Sequence, residues 1–190
     1  SLSKSSLENM KSTKTSSLCT SKNMVRSTQK KVSGKKSSSS KKVKARSTKS
    51  LKKELWELCK KVVRARDGNT CFICGKTPLD GSGWHTGHLH PSSVCGAYLR
   101  YDVRNLHSSC YNCNINLGGN GAAFLLKLEE VYGKEFSQAM IKDKNVILKA
   151  DFIFYEKKIK EFREISDWDK DQLLDYTRTF RERHPPESYM

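Results

Sequence analysis

The chain has 190 residues, room for one domain with tails or for two small domains. Its formal charge of +16 is unevenly spread: residues 1–50 hold 12 Lys and 2 Arg against Glu8 alone, which leaves only +3 for 51–190. No stretch approaches the ~20 apolar residues of a membrane span and no signal-peptide core is present, so a membrane partner is not expected. Seven cysteines, an odd number, with Cys59 on an apolar helical face, argue against a secreted disulfide framework and for a soluble protein in a reducing compartment.

The Lys- and Ser-rich segment 1–50 has no aromatic residue and cannot bury enough apolar surface to offset the entropy of ordering. It is expected to be a disordered tail. Two roles suit it, a solubilising extension or a polycationic arm drawn to phosphate backbones. A mitochondrial transit peptide fits less well, because such segments favour Arg over Lys.

Ser50 is the expected N-cap of a helix over 51–66, with Leu51, Leu55, Leu58, Cys59, Val62 and Val63 on one face. Its Lys and Arg residues lie mostly elsewhere, and a minority of them are expected to face DNA. Asp67-Gly68-Asn69 ends it. Thr70 to Gly75 predicts a short strand entering a knuckle, Trp84 to His90 a second strand broken by Pro91, and Tyr98 to Val103 a third. Ala122 to Tyr132, stopped by Gly133, and Lys134 to Asp143 read as helices. Leu148, Phe152, Tyr155, Ile159 and Phe162 form the stripe of a long amphipathic helix. Ser166 is the expected cap of a last helix, 167–183. Residues 122–190 are therefore expected to be a helical extension used for packing or dimerisation.

The chemistry concentrates in 71–114. Cys71-Phe-Ile-Cys74 and Cys110-Tyr-Asn-Cys113 are two thiol pairs of the kind that hold tetrahedral Zn²⁺. The 35 residues between them are longer than a common zinc-ribbon spacing and call for structure of their own, a β-hairpin. Four of the five histidines, His85, His88, His90 and His107, also lie there, too many for one ion. A strand histidine, an Asn before the second knuckle and a polar residue on the helix behind it outline a ββα-metal nuclease. Such a site needs a base to activate water and a divalent cation to neutralise phosphate charge. Asn105 is a candidate to hold the other imidazole nitrogen of His88.

Cys71-x-x-Cys74, Trp84-x-x-Gly87-His88, Leu99-Arg100-Tyr101-Asp102, Asn105-x-His107-x-x-Cys110-x-x-Cys113-Asn114 and Leu117-x-Gly119-Asn120 together resemble the NinG/Rap recombination endonucleases of lambda-like phages, a branch of the HNH/treble-clef nucleases. More distantly the stretch is similar to endonuclease VII-type junction resolvases. The resemblance covers about a third of the chain. It implies an α+β fold with a zinc-stapled ββα-metal core at 51–121, flanking helices and the basic tail. It implies His88 as general base, oriented by Asn105, and Asn114 as ligand of a catalytic Mg²⁺ or Mn²⁺ beside the structural zinc. It further implies branched DNA (Holliday junctions or D-loops) as substrate, a homodimer for paired cuts, recombination proteins as partners, and work in the cytoplasm of a phage host.

Many relatives carry an Asp directly before the catalytic histidine, where this chain has Gly87. Asp102 is the candidate replacement oxygen; His107, His90 and His85 are candidate nitrogens, which favour Mn²⁺, Ni²⁺ or Zn²⁺. Each has a plainer reading: His107 as a cap of the knuckle, His90 as the end of a strand, His85 as a surface residue. Arg100 either clamps the scissile phosphate or pairs with Asp102. Two alternatives stay open, an HNH nicking or restriction-type nuclease acting on duplex, and a zinc module that binds DNA without cutting it.

Overall fold

The computed structural model describes residues 46–189. The expected disordered arm, apart from its last few residues, lies outside the described residues. Helix α1 spans Thr48–Asp67, so it begins inside the segment expected to be tail. Ser47, not Ser50, is its cap: the Ser47 hydroxyl accepts the Ser50 N–H at 3.2 Å. Gly68, at φ 66°, ends it with its N–H on the Arg64 carbonyl. The buried face carries Leu51, Leu55, Cys59, Val62 and Val63 as the periodicity predicts, and adds Arg66; Leu58 is only partly buried.

Two expected strands are not strands. Residues 71–74 form a tight turn closed by the Gly75 N–H on the Cys71 carbonyl, with Gly75 at φ 73°. Thr-Cys-Phe-Ile favours extended chain, but two thiols three residues apart point toward one centre only if the backbone turns. The stretch expected as a third strand begins as the short helix α2, Ala97–Arg100. A 3-10 turn follows at Val103–Asn105, capped by the Asp102 carboxylate accepting the Arg104 N–H. The expected hairpin is present, built from β1 (Trp84–His88) and β2 (Leu106–Cys110), which pair antiparallel with Trp84 opposite Cys110 and His88 opposite Leu106. Leu106–Cys110 was not expected as a strand, since His-Ser-Ser-Cys lacks β-branched residues; it is buried at all five positions.

After β2 the chain makes a π-helical turn, Asn112–Asn116, that carries Cys113 and Asn114. Helices α3 (Gly121–Tyr132) and α4 (Lys134–Asp143) meet at Gly133, at φ 89°. Helices α5 (Phe152–Ile165) and α6 (Lys170–Arg183) follow. Asp151 caps α5, and Asp169 caps α6 in a reciprocal capping box with Gln172, which moves the start of α6 past Ser166. In the predicted stripe of α5, Phe152 is exposed and Phe154 takes its place inside.

The principal core joins the apolar face of α1 to Tyr155, Ile159, Phe162 and Ile165 of α5, Leu173, Tyr176 and Phe180 of α6, and Tyr101, Val103 and Leu106 from the hairpin region. The helices expected as an extension thus complete the core under the hairpin. A second cluster joins Leu79 to three of the knuckle cysteines, Cys71, Cys110 and Cys113, and a third joins Leu89, Phe124, Leu128 and Met140. The result is a helix-rich α+β arrangement around a two-stranded sheet. No helix among the described residues is long and apolar enough to cross a membrane.

Candidate functional site

The turn at 71–74 brings two thiols to the end of β2, where Cys110 and the following helical turn supply two more. Their four sulfur atoms lie within 4.8 Å of one another, with Cys74 and Cys110 Sγ 3.8 Å apart. Four ligands at about 2.3 Å from a tetrahedral centre stand about 3.8 Å apart, so the set fits Zn²⁺ with small adjustments. The donor chemistry agrees. Burial and the neighbouring thiols Cys74 and Cys110 push the Cys113 thiol up to about 12. At Cys110 burial is outweighed by the Cys113 N–H and by donation from the other thiols, which brings it down to about 7. Four thiols this close share protons; a bound divalent cation would replace them.

His88 ends β1 on the face turned to α1. Its imidazole stacks on the Trp56 indole, with centroids 5.3 Å apart and planes 7° from parallel. Nε2 lies 3.1 Å from the Arg100 carbonyl. A carbonyl can only accept, so Nε2 carries the proton and Nδ1 keeps its lone pair. Burial lowers the His88 pKa; the Arg100 carbonyl opposes that shift, and the Arg100 charge adds to it. The ring therefore stays neutral near pH 7, with the Nδ1 lone pair free to accept a proton. It opens into a cleft of about 290 Å³ lined by Lys52, Lys53, Trp56, Ser92, Arg100 and Tyr101. Among the described residues, none of the three cations lining it joins an ion pair.

Asn105 does not orient the His88 ring. Its side-chain carbonyl accepts the His90 N–H at 2.8 Å, and its amide donates to the His90 and Leu99 carbonyls, each at 3.1 Å. It clasps the loop between the strands shut, which fixes His88 from behind while the Arg100 carbonyl holds the ring. Asp102 is no replacement for a missing metal carboxylate. It is fully buried and spent on Arg104, whose Nη2 lies 2.6 Å from Oδ2 and also reaches Asp143 at 2.8 Å. Arg100 is left without that partner and projects into the cleft. His90 sits in the clasped loop, with Nε2 buried and without a hydrogen-bond partner among the described residues; burial and the Lys144 charge lower its pKa.

His107 is no ligand in this arrangement either. Its ring is fully buried and stacks on Phe72 at 3.7 Å. Arg66 Nη2 lies 3.0 Å and Asp67 Oδ2 3.2 Å from its Nδ1. Burial first, and the Arg66 charge second, lower its pKa to about 4 against the pull of Asp67, so it is neutral. Asp67 also accepts the Ser108 N–H at 2.7 Å, and Arg66 donates to the Val103 and Leu106 carbonyls and to Thr177. This hub ties α1 to β2 and α6.

Asn114 lies against Gly87, the residue before His88: a Cβ built on Gly87 would stand 3.0 Å from Asn114 Oδ1 and 2.6 Å from Ser109 Oγ. The structure thus places His88 and Arg100 in one cleft and Asn114 beside the preceding residue, and sends Asn105, Asp102 and His107 to structural duties. Sequence reasoning missed Trp56 and left unidentified which lysines of α1 face the site. Lys52 and Lys53 stand one helical turn before Trp56, a signal that pointed to one surface but not to His88. His184, the fifth histidine, accepts the Tyr98 hydroxyl on its carbonyl at 2.5 Å and pairs with Glu161, a packing role.

Taken together, these features define a helix-rich α+β protein with a four-thiol cluster fit for a metal such as zinc at one end of the hairpin and a basic cleft around one histidine at the other. The chain belongs to the NinG family: the family model described as the bacteriophage lambda NinG protein matches residues 3–170. The protein ninG of Escherichia phage 933W is 32% identical over 74 residues, 38% of this chain and 35% of the relative. That of Salmonella phage P22 is 33% identical over 72 residues, 37% and 34% of the two chains. That of Escherichia phage lambda is 31% identical over 74 residues, 38% and 35%. The match thus spans about a third of the length of these curated relatives. No solved structure matches.

Proposed function

We propose that this chain is a metal-dependent DNA endonuclease of the HNH type that hydrolyses phosphodiesters at branched recombination intermediates. The observation that carries the reading is His88: a strand-end imidazole with one nitrogen pinned to a carbonyl and the other open in a cleft whose cations join no ion pair among the described residues. The order of elements supports it, since a cysteine knuckle, a hairpin bearing the base and a cysteine-bearing helical turn with Asn114 follow the ββα plan. In this reading the thiol cluster is a structural staple. Lys52, Lys53 and Arg100 draw in the DNA backbone, Arg100 with the forked geometry that suits a phosphate. His88 Nδ1 takes the proton of the attacking water, and Trp56 and the Arg100 carbonyl hold the ring on line. Asn114 would hold a divalent cation, whose chemistry would be to neutralise charge at the phosphate.

The decisive measurement is cleavage of a four-way junction, a D-loop and a linear duplex of the same sequences, across Mg²⁺ and Mn²⁺. We expect junction cutting, and a loss of about 10²–10⁴-fold in His88→Ala with junction binding retained. Wild-type rates in that variant would remove His88 from the role; equal cutting of duplex and junction would replace branch specificity with duplex nicking. Gly87 favours one competing reading, a zinc module that binds DNA without cutting it, because no carboxylate precedes the histidine. Salt-sensitive binding with no cleavage in either metal would establish that reading.

A further inference from the structure

Helices α4 and α6 leave a cavity of about 430 Å³ between them, and none of its lining residues belongs to the His88 cleft. Phe136 and Ala139 give it an apolar wall on α4, while Arg178, Arg181 and Glu182 share one face of α6. Arg104, from the 3-10 turn, lines it as well. The Arg104 side chain is only 2% exposed. A guanidinium carries five N–H donors. Nε and Nη2 account for three of them, all directed at Asp102 and Asp143. The two N–H groups of Nη1 have no acceptor among the described residues. A buried donor is costly to leave unmet, and the cavity is where an acceptor can reach this one.

The rest of the lining has the same bias. Arg178 joins no ion pair among the described residues and lies over the Tyr132 ring, 5.9 Å from its centroid. Arg181 spends Nε on Asp143 at 3.2 Å, which leaves its Nη donors unused among the described residues. Asp102 and Asp143 are turned to these guanidinium groups and are not part of the lining. Glu182 is the one acid that lines the cavity, and it is exposed. Three guanidinium groups from two elements, each with donors to spare, surround one hollow. A tetrahedral phosphate, with oxygens facing several directions, suits such a set better than a planar carboxylate does.

We propose that this cavity is a second phosphate site, separate from the His88 cleft, and that it takes a backbone phosphate from a second arm of branched DNA. The choice of DNA rests on the endonuclease reading; the affinity for phosphate does not. Arg100 in the cleft and Arg104 in the cavity are four residues apart, so their Cα atoms lie within about 14 Å of each other. The two hollows share no lining residue, so they are not one groove for a single backbone. Two backbones that diverge at a branch would fill both.

The first measurement titrates inorganic phosphate into the zinc-loaded full chain at constant ionic strength and follows backbone amide shifts by nuclear magnetic resonance. We expect a saturable shift at the residues of α4 and α6 that line the cavity. Arg178→Gln should weaken it by about fivefold, and Glu182→Gln should tighten it by about twofold. Opposite signs at two neighbouring positions separate a phosphate site from a general loosening of α6, which would weaken both. The second measurement is the salt dependence of binding to a four-way junction and to a linear duplex. Arg178→Gln should lower the slope of log affinity against log salt by about 0.9 for the junction and leave the duplex slope unchanged. No saturable shift at the cavity, or the same sign of effect in both variants, overturns the site. Phosphate binding with an unaltered junction slope, or an equal fall for the duplex, overturns the second arm as its occupant. If both measurements come out as expected and no DNA is cut, the site stands and the endonuclease reading falls. If DNA is cut while phosphate leaves the cavity residues unmoved, the reverse holds.

Discussion

His107 and His88 lie on the two strands of one short hairpin and have opposite surroundings. Around His107, every charge has a counter-charge within the protein. Arg66 meets Asp67 at 2.7 Å, both are buried, and together they bond three strands of backbone or side chain across α1, β2 and α6. Around His88, Lys52, Lys53 and Arg100 face a cleft with no counter-charge among the described residues. The same residue type is thus a neutral packing element in one region and an open base in the other. What separates them is whether the surrounding charges are already spent. Buried and compensated charge stabilises position; exposed and uncompensated charge is left for a partner.

The strongest way to break this contrast is to remove one side of the compensated hub. Arg66→Met leaves the Asp67 carboxylate buried without its cation and the Val103 and Leu106 carbonyls without a donor. The expected loss is about 3–5 kcal/mol, read as a fall in the urea midpoint of the zinc-loaded protein. A loss below about 1 kcal/mol would mean that the hub is incidental to the fold.

A smaller effect should appear with pH. The His107 pKa is about 4 in the folded protein, below the ordinary value of 6.5. The unfolded chain therefore binds the proton first on acidification, and stability falls from about pH 6.5 toward pH 4 at up to about 1.4 kcal/mol per pH unit. Asp67 is held below the usual carboxylate range: burial raises it, but the Arg66 and His107 charges and hydrogen bonds outweigh that. Its stabilising contribution is lost only below about pH 4, outside this window. Comparing the urea midpoint of wild type and His107→Gln from pH 7 to 5 isolates the histidine, since zinc loss at the thiols is common to both. Parallel pH profiles would show that His107 carries no such penalty.

How much of this could be read from residues alone depends on whether the signal was local. The four thiols were legible because two spaced pairs have few other uses. The helices were legible because Leu51, Leu55, Cys59 and Val62, and Tyr155, Ile159 and Phe162, repeat at helical spacing. Tyr98–Val103 misled because its Tyr and Val residues suit a strand, whereas the stretch begins as a helical turn after Gly96 and ends in a turn capped by Asp102. Asn105 and Asp102 misled differently. Each is a polar residue near a histidine in sequence, but which polar group a buried side chain satisfies is decided across elements: Asn105 by His90 and Leu99, Asp102 by Arg104. The partners of His88, the Trp56 face and a backbone carbonyl, leave no trace in local sequence at all.

The smallest expected change in stability belongs to the cleft, and it is the one that sharpens the comparison most. Lys52 and Lys53 are exposed on α1, and among the described residues neither joins an ion pair. Replacing both with Ser removes only one contact to the core, the exposed Lys52 ammonium over the Tyr155 ring at 5.6 Å from its centroid, so unfolding should shift by no more than about 1 kcal/mol. If the cleft receives a DNA backbone, the same change should cut the slope of log affinity against log salt by about 2, at about 0.9 per lost phosphate contact. The loss should be similar for junction and duplex, because phosphate contacts carry no sequence or branch information. Salt-dependent binding assays on zinc-loaded protein would measure it. An unaltered slope would mean that these lysines are a solvated helix face, and that the open charge around His88 does not serve to receive DNA.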